Sequence, residues 1–475
     1  MWFISVFALF LLHKSNADYV GSIVEYNPIQ KSSPTQTIEE NINNYIYYTE
    51  TAKFNGVQLL VFPEYGLTGL VSDPEEYAIV IPDVGTSNFD SDDILQRLSN
   101  AAFEHSVYLV INLLEKVNST QIIYYNTNIV FASNGTLVAK YRKINLFGEN
   151  KLTPGTELSI FSTEFGTFGL MTCADILFYN PSQRILENTN VTDVLFPTAW
   201  TSFLPFYMSI EVQVAYAVSN GVNLLAANIN NPSNAMGGSS IVSADGTLLR
   251  KILTDNPASN IEYATITPPQ AKSFVLRGFD IFDNARAPLQ NYKNLTDFSP
   301  ESYNFQSLDL TKSNITEQIC HRSFCCSFSI GISGQANSSE QYRLVAYNGP
   351  TVYNNTEISI KFCSLISCLS EDVSSCGVRS SSVLTTVFND ITVWGSYGIQ
   401  SEEFYRPISL RNDLDSVYNS SFIQSWTNDT VAVSFNTTIP TSNIIMFGIF
   451  VRSGVDGLCV SLGLVMVLLI LQKLL

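Results

Sequence analysis

The chain has 475 residues, of which 45% are hydrophobic and 14% charged, with a formal net charge of −17 and a pI near 4.6. That length and apolar content suit two domains with at least one large core. The acidic balance leaves no basic patch to neutralise phosphates, which excludes a nucleic-acid partner.

Residues 1–17, MWFISVFALFLLHKSNA, carry an apolar run too short to cross a bilayer and close on the small residues Ser15 and Ala17. This is the pattern of a cleaved signal peptide, with the mature chain starting near Asp18. N-x-S/T sequons at Asn118, Asn134, Asn190, Asn294, Asn314, Asn337, Asn354, Asn419, Asn428 and Asn436 point independently to an extracellular, glycan-bearing protein.

From about 19 to 290, strand-like and helix-like segments alternate. Ile38, Ile42, Tyr45 and Ile46 recur at helical spacing, and Gly56 ends that helix before the apolar run 57–62, VQLLVF. Ser91 reads as the N-cap of a second helix through Asn100, followed by a strand over 107–114. Two further runs, 122–132 and 136–143, flank Ser133-Asn134-Gly135 and read as a hairpin ending at Lys143. FGLMT then leads to Cys173, DVLF at 193–196 leads into PTAW, a helix is expected over 206–219, and VNLLAAN follows. Such alternation predicts an α/β sheet domain with loops at its strand ends open to chemistry.

Beyond about 290 the pattern becomes mostly β, with YRLVAY, ISIKF, VLTTVF, ITVW, VAVSF and IIMFGIF as strand candidates over 291–452. Cys320, Cys325, Cys326, Cys363, Cys368 and Cys376 crowd into this part. They suit three disulfides, and spacing does not choose among the possible pairings; a zinc site is the competing reading. At the end, 453–475 opens on Ser453 and Gly454 and runs into LCVSLGLVMVLLIL, about 14 largely apolar positions where a spanning helix needs roughly 20. That fits a glycosylphosphatidylinositol anchor signal, with a single membrane span as the alternative.

Cys173 stands alone in the α/β part. A cysteine nucleophile needs a base, donors for the oxyanion and a proton source for the leaving group. Histidine is an unpromising base here: His13 leaves with the signal peptide, His105 ends a helix, and His321 lies among the clustered cysteines. Glu64, Lys143 and Cys173, by contrast, each fall just past an expected strand, where α/β sheets present side chains to a ligand crevice. A carboxylate kept basic by burial can cycle the thiol proton, and an ammonium group can polarise a carbonyl oxygen, with the N–H of Ala174 as a second donor. Taken singly, each has a plainer reading: an inert buried thiol, or a solvated surface charge.

FPEYGLTG, YRKINLF, FGTFGLMTCADILF and FPTAW, in this order and spacing, resemble the nitrilase (carbon–nitrogen hydrolase) superfamily, and within it the secreted vanin and biotinidase branch. The resemblance covers roughly 19 to 450 and implies an αββα-sandwich catalytic domain with a second, mostly β C-terminal domain. By motif it implies Glu64 as general base, Lys143 as oxyanion stabiliser, Cys173 as acyl-forming nucleophile, and Glu149 in LFGENKLTPG as the carboxylate that orients the lysine and substrate. Ala174 departs from the pattern, which has an aromatic residue after the nucleophile; its N–H is retained. The implied activity is hydrolysis of a small linear amide without metal or organic cofactor. Pantetheine is the first expected substrate and biotin amides the second, and the alternative is an inactive surface binding protein on the same scaffold.

Overall fold

The structure, a computed structural model, describes residues 17–89, 94–187, 189–269, 289–296, 300–333, 340–353 and 356–453. The expected signal peptide and anchor lie outside these residues except for Ala17 and Ser453, as do His13, Ser91, Asn337, Asn354 and Cys459. Among the described residues no helix is long and apolar enough to cross a bilayer.

Twelve strands build the α/β part: β1 (Tyr19–Glu25), β2 (Leu59–Val61), β3 (Tyr108–Asn118), β4 (Ile122–Phe131), β5 (Leu137–Arg142), β6 (Ile160–Ser162), β7 (Thr167–Leu170), β8 (Asp193–Thr198), β9 (Asn223–Asn228), β10 (Ser239–Val242), β11 (Leu248–Ile252) and β12 (Asn260–Ile266). They form two mixed six-stranded sheets, ordered β12-β1-β2-β3-β4-β5 and β11-β10-β9-β8-β7-β6. The centre of each sheet is parallel, β1-β2-β3 in one and β7-β8-β9 in the other, with antiparallel strands added outside.

The sheets face each other across a core that includes Ile23, Val61, Val110, Tyr141, Phe168, Leu195 and Leu225. Helices α1 (Pro34–Phe54) and α2 (Ile94–His105) cover the outer face of the first sheet, and α3 (Ser209–Asn220) packs over the second. Strands buried on both faces read as unbroken apolar runs, which is why LLV at 59–61 shows no alternation. This is the expected αββα sandwich. Helix α2 continues five residues past Asn100 to His105, and α3 begins at Ser209 rather than 206. Phe203 and Tyr207 exchange backbone hydrogen bonds, and that bridge closes a tight turn over Pro205-Phe206 just ahead of the helix.

The second domain is two antiparallel five-stranded sheets. One is ordered β13-β16-β17-β22-β19, from β13 (Asn304–Ser307), β16 (Gln341–Tyr353), β17 (Thr356–Cys368), β22 (Ile444–Arg452) and β19 (Phe404–Arg411). The other is β14-β15-β18-β21-β20, from β14 (Asn314–His321), β15 (Phe324–Ser333), β18 (Val387–Gly398), β21 (Thr430–Thr437) and β20 (Ser420–Trp426). Phe435 of β21 stacks on Phe447 of β22 with centroids 4.1 Å apart, closing the two sheets on one core.

The six clustered cysteines pair as Cys320–Cys325, Cys326–Cys363 and Cys368–Cys376, which spends the thiols a zinc site would need. VLTTVF is a strand only from Val387. The amides and hydroxyls of Thr385 and Thr386 turn instead to the Glu340 carboxylate, and Leu384 N donates to Asn443 Oδ1, so side-chain acceptors replace the ladder. The inner sheet of this domain packs on the α/β part. Buried Arg406 of β19 donates to the Ile176 carbonyl at 2.6 Å and lies over the rings of Phe404 and Tyr216. A cation held among aromatic faces in this way is attracted electrostatically by the rings.

Candidate active site

Strands β2 and β5 run in the same direction, because β5 is antiparallel to β4 and β4 to β3, which is parallel to β2. Their carboxyl ends therefore open on one side. Glu64 follows β2 and Lys143 follows β5; Cys173 follows β7, and the β8 segment beside it ends at Thr198. The loop after Glu64 folds tightly over α1. A Cβ at Gly66 would meet the Tyr45 hydroxyl at 1.9 Å, and the Tyr45 ring is fixed by stacking on Phe62 at 3.7 Å. Only glycine fits there.

Lys143 Nζ lies 2.8 Å from Glu64 Oε1 and 2.8 Å from Glu149 Oε2, and the exposed fractions of the three side chains are 2%, 1% and 9%. Burial alone would favour the neutral amine, yet the two carboxylates hold the Lys143 ammonium well above its ordinary pKa. The two acids then part company. Burial raises Glu64, with Glu149's charge adding to it and Lys143 only partly offsetting it. Burial also acts on Glu149, but there the Lys143 ion pair and hydrogen bonds from Lys143, Tyr65 and Asn126 outweigh it and hold the group below the usual range. One ammonium group is thus shared by a basic carboxylate and a firmly ionised one, the divergence that lets two acids serve different roles.

Cys173 is the free cysteine among the described residues and is buried. It opens a short 3-10 turn, Cys173–Leu177, with φ at +46°. A non-glycine residue in that region costs on the order of 1–3 kcal/mol and persists where the surroundings over-determine it. Burial pushes its thiol up to about 12; Glu64 adds to the rise, and Lys143 and the Thr198 hydroxyl pull the other way. The thiol is therefore neutral at rest, within electrostatic reach of both acids and the lysine.

A frame of buried amides holds these groups. Asn126 Nδ2 donates to Glu64 Oε1 at 2.7 Å and to Glu149 Oε1 at 2.6 Å, and its Oδ1 accepts from Asn112 Nδ2 at 2.6 Å. Asn112 also reaches Asn128, whose Nδ2 donates to Thr172 Oγ1 at 2.9 Å beside the cysteine. Tyr65 uses both ends: its N–H donates to Asn112 Oδ1 at 2.9 Å and its hydroxyl to Glu149 Oε1 at 2.6 Å. The N–H of Ala199, in PTAW, donates to Glu64 Oε2 at 2.8 Å and turns that carboxylate. Because buried polar groups cost heavily unless satisfied, such a closed network fixes rotamers as well as charge.

The structure thus brings Glu64, Lys143 and Glu149 into direct contact, with Cys173 beside them. Ala174 is buried in the first turn after the cysteine. His105 sits at the end of α2, and His321 accepts from Asn348 N at 2.9 Å and stacks on Tyr347 in the second domain, so neither belongs to this site. Asn112, Asn126, Asn128 and Tyr65 were missed by sequence reasoning. Their signal was polar residues inside strands otherwise built for burial: NTN within IIYYNTNIVF and a lone Asn in VINLL. Among the described residues no group of three His, Cys, Asp or Glu side chains is arranged to hold a metal ion.

Residues 23–274 match the carbon-nitrogen hydrolase family and residues 292–455 the vanin C-terminal domain. Vanin-like protein 1 of Drosophila melanogaster is 29% identical over 486 residues, covering 91% of this chain and 85% of its own. A pantetheine hydrolase of Homo sapiens is 29% identical over 442 residues, covering 84% and 82%, and biotinidase of Bos taurus is 28% identical over 455 residues, covering 83% and 85%.

Proposed function

This chain belongs to the carbon–nitrogen hydrolase family, in its vanin and biotinidase branch, and is an amide-hydrolysing enzyme; from that premise we propose that it acts at the cell surface and cleaves pantetheine to pantothenate and cysteamine through an acyl-enzyme on Cys173. The observation that carries this reading is the buried ammonium group of Lys143, gripped by Glu64 and Glu149 beside a neutral thiol.

The geometry supports the following sequence. The amide carbonyl enters with its oxygen toward Lys143 Nζ and the N–H of Ala174. Cys173 Sγ attacks the carbonyl carbon as Glu64 takes the thiol proton. With a thiol held near 12, proton transfer accompanies attack, and a carboxylate raised by burial is the better acceptor. Negative charge developing on the carbonyl oxygen is met by donors already in place, which in a dry site lowers the barrier more than mobile water does. The C–N bond then breaks and Glu64 returns its proton to the departing amine, leaving a thioester on Cys173. Water gives a proton to Glu64 as it attacks the thioester carbon; the acid leaves, and the proton on Glu64 goes back to the thiolate. Glu149 holds Lys143 ionised throughout.

The secreted and glycosylated character rests on the leader pattern and the sequons. Asn118, Asn134, Asn190, Asn294, Asn314, Asn419 and Asn428 are exposed, as glycan attachment requires. A lipid anchor at 453–475 is part of the same reading, and release of the full-length protein from cells by phospholipase C tests it.

The similarity to biotinidase keeps biotin amides as a second substrate class, since its identity and coverage match those of the pantetheine hydrolase. Purified protein and its Cys173→Ser variant are assayed for cysteamine release from pantetheine and lysine release from biocytin. Cysteamine release that the variant lacks supports the proposal. Biocytin turnover alone moves the substrate to biotin amides, and equal rates for parent and variant remove Cys173 from the mechanism.

A further inference from the structure

Asp175 lies two residues beyond Cys173, is fully buried, and is not one of the four groups used above. Its Oδ2 accepts from Thr172 N at 3.0 Å and from the Tyr141 hydroxyl at 2.6 Å, and its Oδ1 accepts from Asn145 N at 2.8 Å and Asn145 Nδ2 at 2.9 Å. Thr172 precedes the cysteine; Tyr141 and Asn145 bracket Lys143. We propose that Asp175 is a positioning residue for amide hydrolysis: its carboxylate locks the left-handed turn at Cys173 and fastens that turn to the chain carrying Lys143, setting the thiol against the ammonium group.

Three features support this role. All four partners reach Asp175 as donors, which suits an ionised carboxylate, an acceptor only, and leaves no acceptor for a proton on it. The Tyr141 hydroxyl is itself oriented, because it accepts from the Ile144 backbone N–H while donating to Asp175. The two amides that follow Lys143 are therefore both tied, directly or through Tyr141, to one side chain on the cysteine turn. A left-handed cysteine would relax without such a restraint.

The titratable and charged groups facing Asp175 are Tyr141 and Lys143; Arg406 grips the neighbouring Ile176 carbonyl from the second domain. Burial lifts Asp175 to about 6, with the Tyr141 and Asn145 hydrogen bonds and Lys143 opposing the rise. The clamp is thus closed at neutral pH and opens as pH falls through that value. An amide in place of the carboxylate turns an NH2 toward one pair of donors and cannot accept all four bonds.

This inference rests on Cys173 and Lys143 acting as proposed, so its test includes a readout independent of turnover. In the full-length protein, Asp175→Asn is expected to lower kcat about 30-fold or more while KM stays within about threefold, the pattern of a misplaced reacting group rather than lost binding. Its crystal structure is expected to show Cys173 relaxed from φ near +46°. Tyr141→Phe, a milder change, removes one donor to the carboxylate, raises the Asp175 pKa, and is expected to lower kcat several-fold and move the acid limb of kcat to higher pH. The inference is overturned by an Asp175→Asn structure in which the Cys173 turn is unchanged, whether or not the enzyme is active. It is equally overturned by a Tyr141→Phe enzyme whose kcat and acid limb both match the parent's. Absence of amide turnover in the parent counts against the proposed function instead.

Discussion

Replacing Lys143 with methionine keeps side-chain length and apolar stem while removing the ammonium group that lies 2.8 Å from both Glu64 Oε1 and Glu149 Oε2. Two charge-assisted hydrogen bonds disappear, each worth about 1.5–3 kcal/mol, and removing one member of a buried ion pair is known to cost about 3–5 kcal/mol. The expected loss at pH 8 is therefore about 3–5 kcal/mol. It is not a fixed quantity. Without the ammonium group both carboxyl pKa values in the folded protein rise above those of the unfolded chain, so the folded state binds more protons and stability falls as pH rises through the raised values. Protonation at low pH relieves the burial of charge, and the deficit shrinks. Urea unfolding of parent and Lys143→Met at pH 5.5 and pH 8 measures this. A deficit below about 1 kcal/mol at pH 8, or one equal at the two pH values, refutes the claim that one buried ammonium group stabilises both buried acids as their shared ion-pair partner.

Asn126→Leu removes the shared donor to Glu64 and Glu149 and one of the two acceptors of Asn112 Nδ2; a loss of about 2–4 kcal/mol and a kcat lowered about 100-fold are expected, by denaturation and steady-state kinetics. In the proposed mechanism Glu64 is ionised when it takes the thiol proton, and burial raises its pKa, so kcat/KM is expected to fall as pH drops through a value above the usual carboxylate range; a profile that stays flat down through that range contradicts this. The Cys326–Cys363 bond spans 37 residues and ties β15 to β17, so its double alanine variant is expected to lose about 4 kcal/mol on the loop-entropy scale, seen as a lower unfolding midpoint.

The fold was legible where burial imposes a pattern. The run 57–62 and the hairpin ending at Lys143 follow from apolar periodicity and a turn at Asn134-Gly135, and they also put Glu64 and Lys143 past strand ends. Cys173 stood out by isolation from the disulfide cluster. What periodicity does not carry is which strands become neighbours, and so sequence patterning alone could not say that groups up to 109 positions apart along the chain share one pocket. The amide frame escaped notice for a related reason: Asn126 and Asn128 look like weak strand formers until their partners on β3 and at Thr172 are known. VLTTVF misled because its propensity is that of a strand, while Glu340, 45 residues from Thr385, supplies the competing acceptors. Asp175 was invisible as anything but a neighbour of the cysteine; its meaning lies in Tyr141 on β5 of the other sheet and Asn145 in the loop that follows β5.

The central claim is that the sulfur of Cys173 carries the acyl half of the amide between two chemical steps. Rapid acid quench of full-length enzyme during turnover of pantetheine, followed by peptide mass spectrometry, reads this directly. The expected result is a hydroxylamine-labile pantothenoyl adduct on the peptide containing Cys173, absent from the Cys173→Ser enzyme. Steady cysteamine release with that peptide unmodified, or with the acyl group on another residue, contradicts it.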